Sequence, residues 1–157
     1  MELCPGSLKE VIVHSRMKKK NFSLITKITI LLQLASAIAY LHKKINRAHG
    51  NIHPSNVLLS STLTPLLTDT FLIATEKRLL KKQVASNFIA PEIKGDSVPS
   101  MESDIYSFGC LILYVLTDGE REVTANMDYS FLENQGLELM IKRCCYTNPA
   151  VLFSCLP

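Results

Sequence analysis

Four polar side chains that could take part in chemistry lie close together between residues 48 and 59: His49, Asn51, His53 and Asn56. Pro54 prevents a helix from continuing through this stretch. The apolar run that follows, residues 57–59, favours a short β-strand. Because loops that lead directly into a buried strand often hold binding or catalytic groups, we expect a functional site here.

Three further motifs follow this loop in order. Asp69 comes directly after residues 66–68, a second run that favours a strand and would pair with the first as a hairpin. The tripeptide Ala-Pro-Glu occupies residues 90–92. The segment from Asp104 to Gly109 then leads into residues 110–116, and this whole stretch is apolar on nearly every side. A helix of that kind lies at the centre of a protein.

Other helices must position the loop. Ser7 and Ser23 are of the residue type that caps helices, and they predict one helix over residues 8–13 and a longer one after Ser23. The apolar positions of the longer helix recur at helical spacing and are Ile28, Leu31, Leu32, Ala35, Ile38 and Ala39. Since Leu34 and Leu41 widen this face, we expect the helix to be largely buried. A last amphipathic helix is predicted from Leu137, Met140, Ile141 and Cys144.

Composition indicates one packed domain. The chain has 157 residues, 47% of them apolar, and a net charge of +3 from 17 Lys and Arg against 14 Asp and Glu. The short basic run Lys18-Lys19-Lys20 is typical of a solvated surface. No motif for nucleic-acid binding is present in the sequence, so nucleic acid is not an expected partner.

Cysteine usage favours a reducing compartment. The five cysteines are odd in number and lack the paired spacing of a zinc site, and Cys110 fits a small core residue. The first residues lack the pattern of a signal peptide. The apolar runs 28–41 and 105–116 are shorter than the ~20 residues of a membrane span. We therefore expect a cytoplasmic protein, or the cytosolic part of a larger one, with no membrane span.

The polar loop resembles the catalytic loop of the protein kinases, in which His-Arg-Asp is followed by an Asn. His49 matches the His, and Asn56 matches the Asn that holds a second magnesium ion. Gly50 replaces the Arg, and Asn51 replaces the catalytic Asp. His53 stands where Ser/Thr kinases place a Lys. The resemblance thus implies a catalytic loop in which Asn51 and His53 occupy degenerate catalytic positions.

The resemblance extends to the residues around the loop. Asp69 matches the magnesium-binding Asp of Asp-Phe-Gly, although Thr70 and Phe71 replace the next two residues. Asp104 matches the Asp that holds the backbone of the catalytic loop. Glu92 matches a structural Glu whose Arg partner is here Leu152, so Glu92 should find another partner or turn towards water.

Nucleotide-binding positions are implied by the same resemblance. The first residues, Met-Glu-Leu-Cys-Pro-Gly, resemble the hinge that contacts adenine, which points to Glu2 and Cys4. Leu58 would form the floor under the adenine ring. ATP and Mg²⁺ are expected in a complete parent protein, and neither is expected to bind tightly to this chain.

The implied fold is α+β and mainly α: a kinase-like C-terminal lobe with a central buried helix and a small β-hairpin. Residues 1–157 would form a partial kinase-like domain, with the hinge and the C-terminal lobe, truncated before the last helix. We expect this chain to lack the N-terminal lobe, because no glycine-rich loop and no strand with its Lys precede the hinge. The chain would then be either a fragment of a longer protein or a lone lobe.

Two functions fit these residues. Phosphoryl transfer depends on positioning and charge stabilisation, and the amide of Asn51 has no pKa in the range that would let it take a proton from a substrate. The favoured function is therefore a pseudokinase that acts as a binding or regulatory scaffold for a protein partner, such as another kinase or signalling domain. The alternative is a weakly active Ser/Thr-type kinase within a longer parent, supported by Asn56, Asp69 and the intact Ala-Pro-Glu.

Overall fold

The computed structural model describes residues 6–69, 86–93, 97–123, 129–132 and 134–146. Several positions singled out in the sequence lie outside these residues, namely Glu2, Cys4, Thr70, Phe71 and Leu152.

A small antiparallel sheet lies beside the polar loop. Its strands are β1 (Gly6–Ser7), β2 (Val57–Leu59) and β3 (Pro65–Leu67), in the order β1-β2-β3. The predicted hairpin of β2 and β3 is therefore present, but β3 begins and ends one residue earlier than expected. β1, which pairs Gly6 with Leu59, was not predicted, because a two-residue strand containing Gly carries no periodic signal.

Helix α1 (Leu8–Met17) follows β1 directly. Ser7 and Glu10 form a reciprocal cap: the Ser7 hydroxyl accepts from the Glu10 amide at 3.3 Å, and the Glu10 carboxylate accepts from the Ser7 amide at 2.8 Å. The cap residue was correctly predicted, but the helix is four residues longer than expected. Its last turn has mostly exposed side chains, so no apolar repeat marks it in the sequence.

Helix α2 (Leu24–Tyr40) begins after the Ser23 cap and continues into a π-helical turn, Leu41–Ile45. Its buried apolar residues are Ile30, Leu31, Leu34 and Ile38. The expectation that α2 is largely buried is wrong, since Leu32 is 64% exposed and Ile25 is 78% exposed. Because α2 is apolar around most of its circumference, the sequence could not show which side faces the core.

The helical run Leu24–Ile45 has 22 residues and is long and apolar enough to cross a membrane by length and composition alone. The run 28–41 is thus part of a longer apolar helix than the sequence indicated, and the expectation of no membrane span stays a prediction. Length and composition are weak evidence for a span, since the core helix of a soluble protein passes the same test.

Helix α3 (Met101–Leu116) is the centre of the fold, as its composition predicted. Four consecutive residues, Cys110, Leu111, Ile112 and Leu113, are buried. Helix α4 (Gln135–Tyr146) packs against α3 and buries Ile141 fully. Met140, which was expected on the buried face of α4, is instead 39% exposed. With these helices and one small sheet, the expected mainly helical α+β class is confirmed.

The segment around Ala90 is attached to α3. A short 3-10 turn, Ser86–Phe88, precedes it, and the Ser107 hydroxyl donates to the Phe88 carbonyl at 2.7 Å. Phe88 is buried and meets the Tyr114 ring edge-on at 6.1 Å between centroids. The Ala-Pro-Glu tripeptide thus follows directly from a segment fixed to the central helix.

Candidate functional site

The candidate site lies where the loop before β2 meets the end of β3. The β2–β3 register pairs Val57 with Leu67, so Asn56 lies opposite Thr68. The Thr68 amide donates to the Asn56 carbonyl at 2.9 Å, and the Asn51 side-chain amide donates to the Asp69 carbonyl at 3.3 Å. The hairpin therefore brings Asp69 next to Asn51 and Asn56, although these residues are well separated in the sequence.

Asp104, in the first turn of α3, binds the backbone of the loop. Its carboxylate, 1% exposed, accepts from the His49 amide at 2.6 Å and from the Gly50 amide at 2.8 Å. Gly50 has φ +75°, a left-handed conformation that suits glycine. This is the contact with the loop backbone that the resemblance implies for Asp104.

His42 is a third partner of Asp104 and was not identified as a site residue. Its Nε2 lies 2.8 Å from the Asp104 carboxylate, and the side chain is buried. From the sequence alone, His42 could be either a core residue or a solvated one. The only available signal is its place in Tyr40-Leu41-His42, which matches the end of the kinase helix that leads into the catalytic loop.

Asn51, which the resemblance assigns to the position of the catalytic Asp, is buried, with 6% exposure. Its amide nitrogen is engaged by the Asp69 carbonyl, whereas its Oδ1 has no hydrogen-bond partner in the part of the chain that the structure describes. An unpaired buried oxygen is unfavourable. The Asn51 oxygen is therefore available to a ligand that carries a donor or a cation.

His49 is fully buried, and neither ring nitrogen has a hydrogen-bond partner among the described residues. Burial lowers the pKa of His49. The pKa of His49 is raised by Asp104, Asp69 and the nearby Thr68 backbone, but these effects together are smaller than the effect of burial. His49 is thus a neutral core side chain near pH 7.

His53 serves as a cap for the 3-10 turn Pro54–Asn56. Its Nδ1 accepts from the Ser55 amide at 3.3 Å, and the side chain is buried. Burial, followed by the neighbouring His49 and Lys9, lowers the pKa of His53. A neutral buried imidazole does not provide the mobile positive charge that a Lys would bring to this position.

Asn56 and Asp69 fit a magnesium site in their donor chemistry. The Asn56 amide nitrogen donates to the Asn51 carbonyl at 3.1 Å, which leaves its amide oxygen for a cation. Asp69 is exposed and has φ +55°. In the described residues, no group of three His, Cys, Asp or Glu could hold a metal by itself. Mg²⁺ commonly binds with one or two protein oxygens plus phosphate oxygens, so this donor pair fits a nucleotide-bound ion.

Leu58 and Glu92 complete the set of candidate residues. Leu58 is half-buried in the central strand, on the face opposite Val57 and Leu59. Glu92 is exposed. The roles of Leu58 in nucleotide binding and of Glu92 in the fold stay predictions.

Comparison with known proteins gives one family. Residues 1–153 match the family model described as protein tyrosine and serine/threonine kinase. Protein STRUBBELIG-RECEPTOR FAMILY 5 of Arabidopsis thaliana is 35% identical over 127 residues, which cover 74% of this chain and 18% of that protein.

Two further relatives show the same pattern. A receptor-like protein kinase of Ipomoea nil is 34% identical over 121 residues, 71% of this chain and 11% of its own length. A serine/threonine-protein kinase of Caenorhabditis elegans is 30% identical over 115 residues, 71% of this chain and 12% of its own length. This chain therefore spans less than a fifth of each of these relatives.

Proposed function

Because this chain belongs to the protein tyrosine and serine/threonine kinase family, we propose that it is a pseudokinase lobe of a longer parent protein. In that parent it binds or regulates a protein partner and does not transfer phosphate. Asn51 carries this proposal. A buried amide whose nitrogen donates to the Asp69 carbonyl occupies the position of the catalytic carboxylate, and an amide cannot accept the proton of a substrate hydroxyl.

His53 supports the same function. Its ring is committed to the Ser55 amide and is buried, so it is held within the loop. With a lowered pKa it is neutral at pH 7. A side chain in this state does not stabilise the charge that develops on a transferred phosphoryl group.

Nucleotide binding in the parent is a separate part of the proposal. Asn56 and Asp69 would hold the magnesium ion of a nucleotide, with the unpaired Oδ1 of Asn51 beside them. The ion would neutralise phosphate charge when bound. The names of the receptor-like relatives support placing this lobe in the cytosolic part of a larger protein.

A weakly active Ser/Thr-type kinase is the second candidate. Its support is the C. elegans relative, which is named a serine/threonine-protein kinase, together with the retained Asn56 and Asp69. In that case the parent would transfer phosphate from ATP to protein without a carboxylate base.

Phosphate transfer from radiolabelled ATP to a generic protein substrate distinguishes the two functions. We expect no transfer by this chain or by its parent. Asp69→Ala is the control variant, because it removes the magnesium position and leaves Asn51 in place. Transfer by the wild type that disappears in Asp69→Ala would overturn the pseudokinase function, whereas transfer that persists in Asp69→Ala indicates a contaminating kinase.

A further inference from the structure

Helix α2 has a second apolar face that the core does not cover. The exposed side of the helix carries Ile25, Leu32 and Tyr40, with exposures of 78%, 64% and 60%. Two hydroxyl residues between them, Thr29 and Ser36, donate to the carbonyls of Ile25 and Leu32 at 2.9 and 3.0 Å. Because these hydroxyls are bonded within the helix, the face formed by Ile25, Thr29, Leu32, Ser36 and Tyr40, here called the α2 outer face, is less polar than its composition indicates.

The segment of the chain that carries this face has charged residues of one sign only. Residues 11–68 contain eight Lys and Arg and no Asp or Glu, whereas the rest of the chain contains nine Lys and Arg against 14 Asp and Glu. Asp118 pairs with the buried Lys27 of this segment, and the remaining seven Lys and Arg of the segment contribute a positive potential that attracts anionic surfaces.

The exposed basic residues lie at both ends of α2. Before the helix come Lys18, Lys19 and Lys20, and after it come Lys43, Lys44 and Arg47, all of them exposed. Lys27 is the exception inside the helix: it is buried and pairs with Asp118 at 2.7 Å. The outer face is therefore an apolar strip with positive charge at each end and no charged side chain within it.

We propose that the α2 outer face docks on an anionic phospholipid membrane, with α2 lying along the surface. Apolar side chains on one side of a helix enter the boundary between headgroups and acyl chains, and flanking Lys and Arg bind anionic headgroups. Tyr40 suits this boundary, because its ring is apolar and its hydroxyl is polar.

The opposite side of α2 explains why the helix lies on the membrane. It packs against α3 and holds Lys27 in a polar contact with Asp118, and His42 in the π-helical turn after α2 contacts Asp104. Crossing the bilayer would require these contacts to break and Lys27 to enter hydrocarbon. The positive charge of residues 11–68 also disfavours a second copy of the chain at this face, since like charges would meet.

Vesicle sedimentation tests this docking independently of the kinase-type site. We expect the purified chain to sediment with phosphatidylcholine vesicles containing about 30% phosphatidylserine and not with pure phosphatidylcholine. Salt at about 0.5 M should release it, because the attraction to headgroups is screened.

Two sets of variants separate the apolar and charged contributions. One variant combines Ile25→Gln and Leu32→Gln, and the other combines Lys18→Gln, Lys19→Gln and Lys20→Gln. Each variant should weaken vesicle binding at least about tenfold. The matched controls lie outside α2 and the basic residues next to it. One combines Val98→Gln and Leu139→Gln, which removes two exposed apolar side chains. The other combines Lys9→Gln, Arg121→Gln and Lys142→Gln, which removes three exposed positive charges, as the lysine variant does. Both controls should bind as the wild type does.

Three results would overturn the proposal. The first is equal sedimentation with neutral and anionic vesicles, and the second is unchanged vesicle binding by both sets of α2 variants. The third is an oligomer of the wild type that becomes a monomer in the variant with Ile25→Gln and Leu32→Gln, while vesicle binding is unchanged. The last would assign the face to a second copy of the chain. The altered side chains are exposed, and equal melting temperatures for all variants would show that folding is retained.

Discussion

His53, which the resemblance assigns to a degenerate catalytic position, has a structural role in the loop. The imidazole caps the 3-10 turn that leads into β2, through a 3.3 Å bond from the Ser55 amide. It therefore helps to place Asn56 directly before β2. Its burial lowers its pKa, so the contribution of His53 to stability depends on its remaining neutral.

Acid should destabilise the chain through two buried histidines. Burial lowers the pKa of both His49 and His53 from the ordinary value of 6.5. The unfolded chain therefore binds protons at a higher pH than the folded chain does. The stabilising effect is complete above about pH 6.5 and is lost as the pH falls through the lowered pKa values. We expect melting temperatures measured between about pH 7.5 and pH 5 to fall steadily.

His53→Asn isolates one of these two groups. Asn keeps an acceptor for the Ser55 amide but does not titrate, so the fall in melting temperature should become smaller. His14→Asn is the matched control, since His14 is exposed on α1, and it should leave the pH dependence unchanged. An identical pH profile for wild type and His53→Asn would show that His53 is not held neutral by the fold.

At the scale of elements, the packing of α4 on α3 depends on the absence of a side chain at Gly109. A Cβ atom there would lie 2.5 Å from the Cys144 Cβ and 2.6 Å from the Cys145 Sγ. Burial raises the pKa of Cys144 to about 11, and a hydrogen bond with Cys110 together with burial raises the pKa of Cys145. These thiols are therefore protonated at neutral pH and pack as small core groups.

Gly109→Ala should force the two helices apart. We expect it to lower the free energy of unfolding by about 1–3 kcal/mol, because over-packing a close helix contact displaces backbone as well as side chains. Denaturant unfolding of the purified variant measures this.

Gly136→Ala is the matched control, on the exposed first turn of α4. A Cβ there would approach only the flexible Asn134 side chain, at 3.0 Å. Ala is the better helix former, so stability should be unchanged or up to about 1 kcal/mol higher. Equal losses from the two substitutions would mean that the α3–α4 contact at Gly109 is not close.

At the scale of the whole molecule, Asp104 connects parts of the chain that are far apart in sequence. One carboxylate in α3 binds the backbone of the candidate loop and the His42 ring in the π-helical turn after α2. The candidate site is thereby fixed to the central helix, and it should lose its order when this carboxylate is removed.

Asp104→Ala should lower the free energy of unfolding by about 3 kcal/mol or more, because it leaves the buried His49 amide and the half-buried Gly50 amide without an acceptor. Asp104→Asn keeps one acceptor oxygen and should lose less. Glu102→Ala, two residues earlier in α3, is the control and should change stability by less than about 0.5 kcal/mol. Hydrogen exchange at the His49 and Gly50 amides should accelerate in Asp104→Ala. Protection that persists at these amides would contradict the assigned contact.

The sequence by itself determined the class of the fold and the main elements. Ser7 and Ser23 marked the starts of α1 and α2, and the apolar stretch after Asp104 marked the central helix, because capping and composition are local properties. The loop residues could also be found, since His49, Asn51, His53 and Asn56 are neighbours in the chain. That Asn51 stands in place of a carboxylate is a prediction from the kinase resemblance and needs no structure.

Tertiary structure alone decided which side of each helix is covered and which polar groups meet. Leu32 and Leu34 are the same residue type in the same helix, yet one is exposed and the other buried, since burial depends on the position of α3. His42 contacts Asp104, which is 62 positions away in the sequence, and Lys27 contacts Asp118, which is 91 positions away. No local pattern encodes such contacts, because they exist only after the helices have packed.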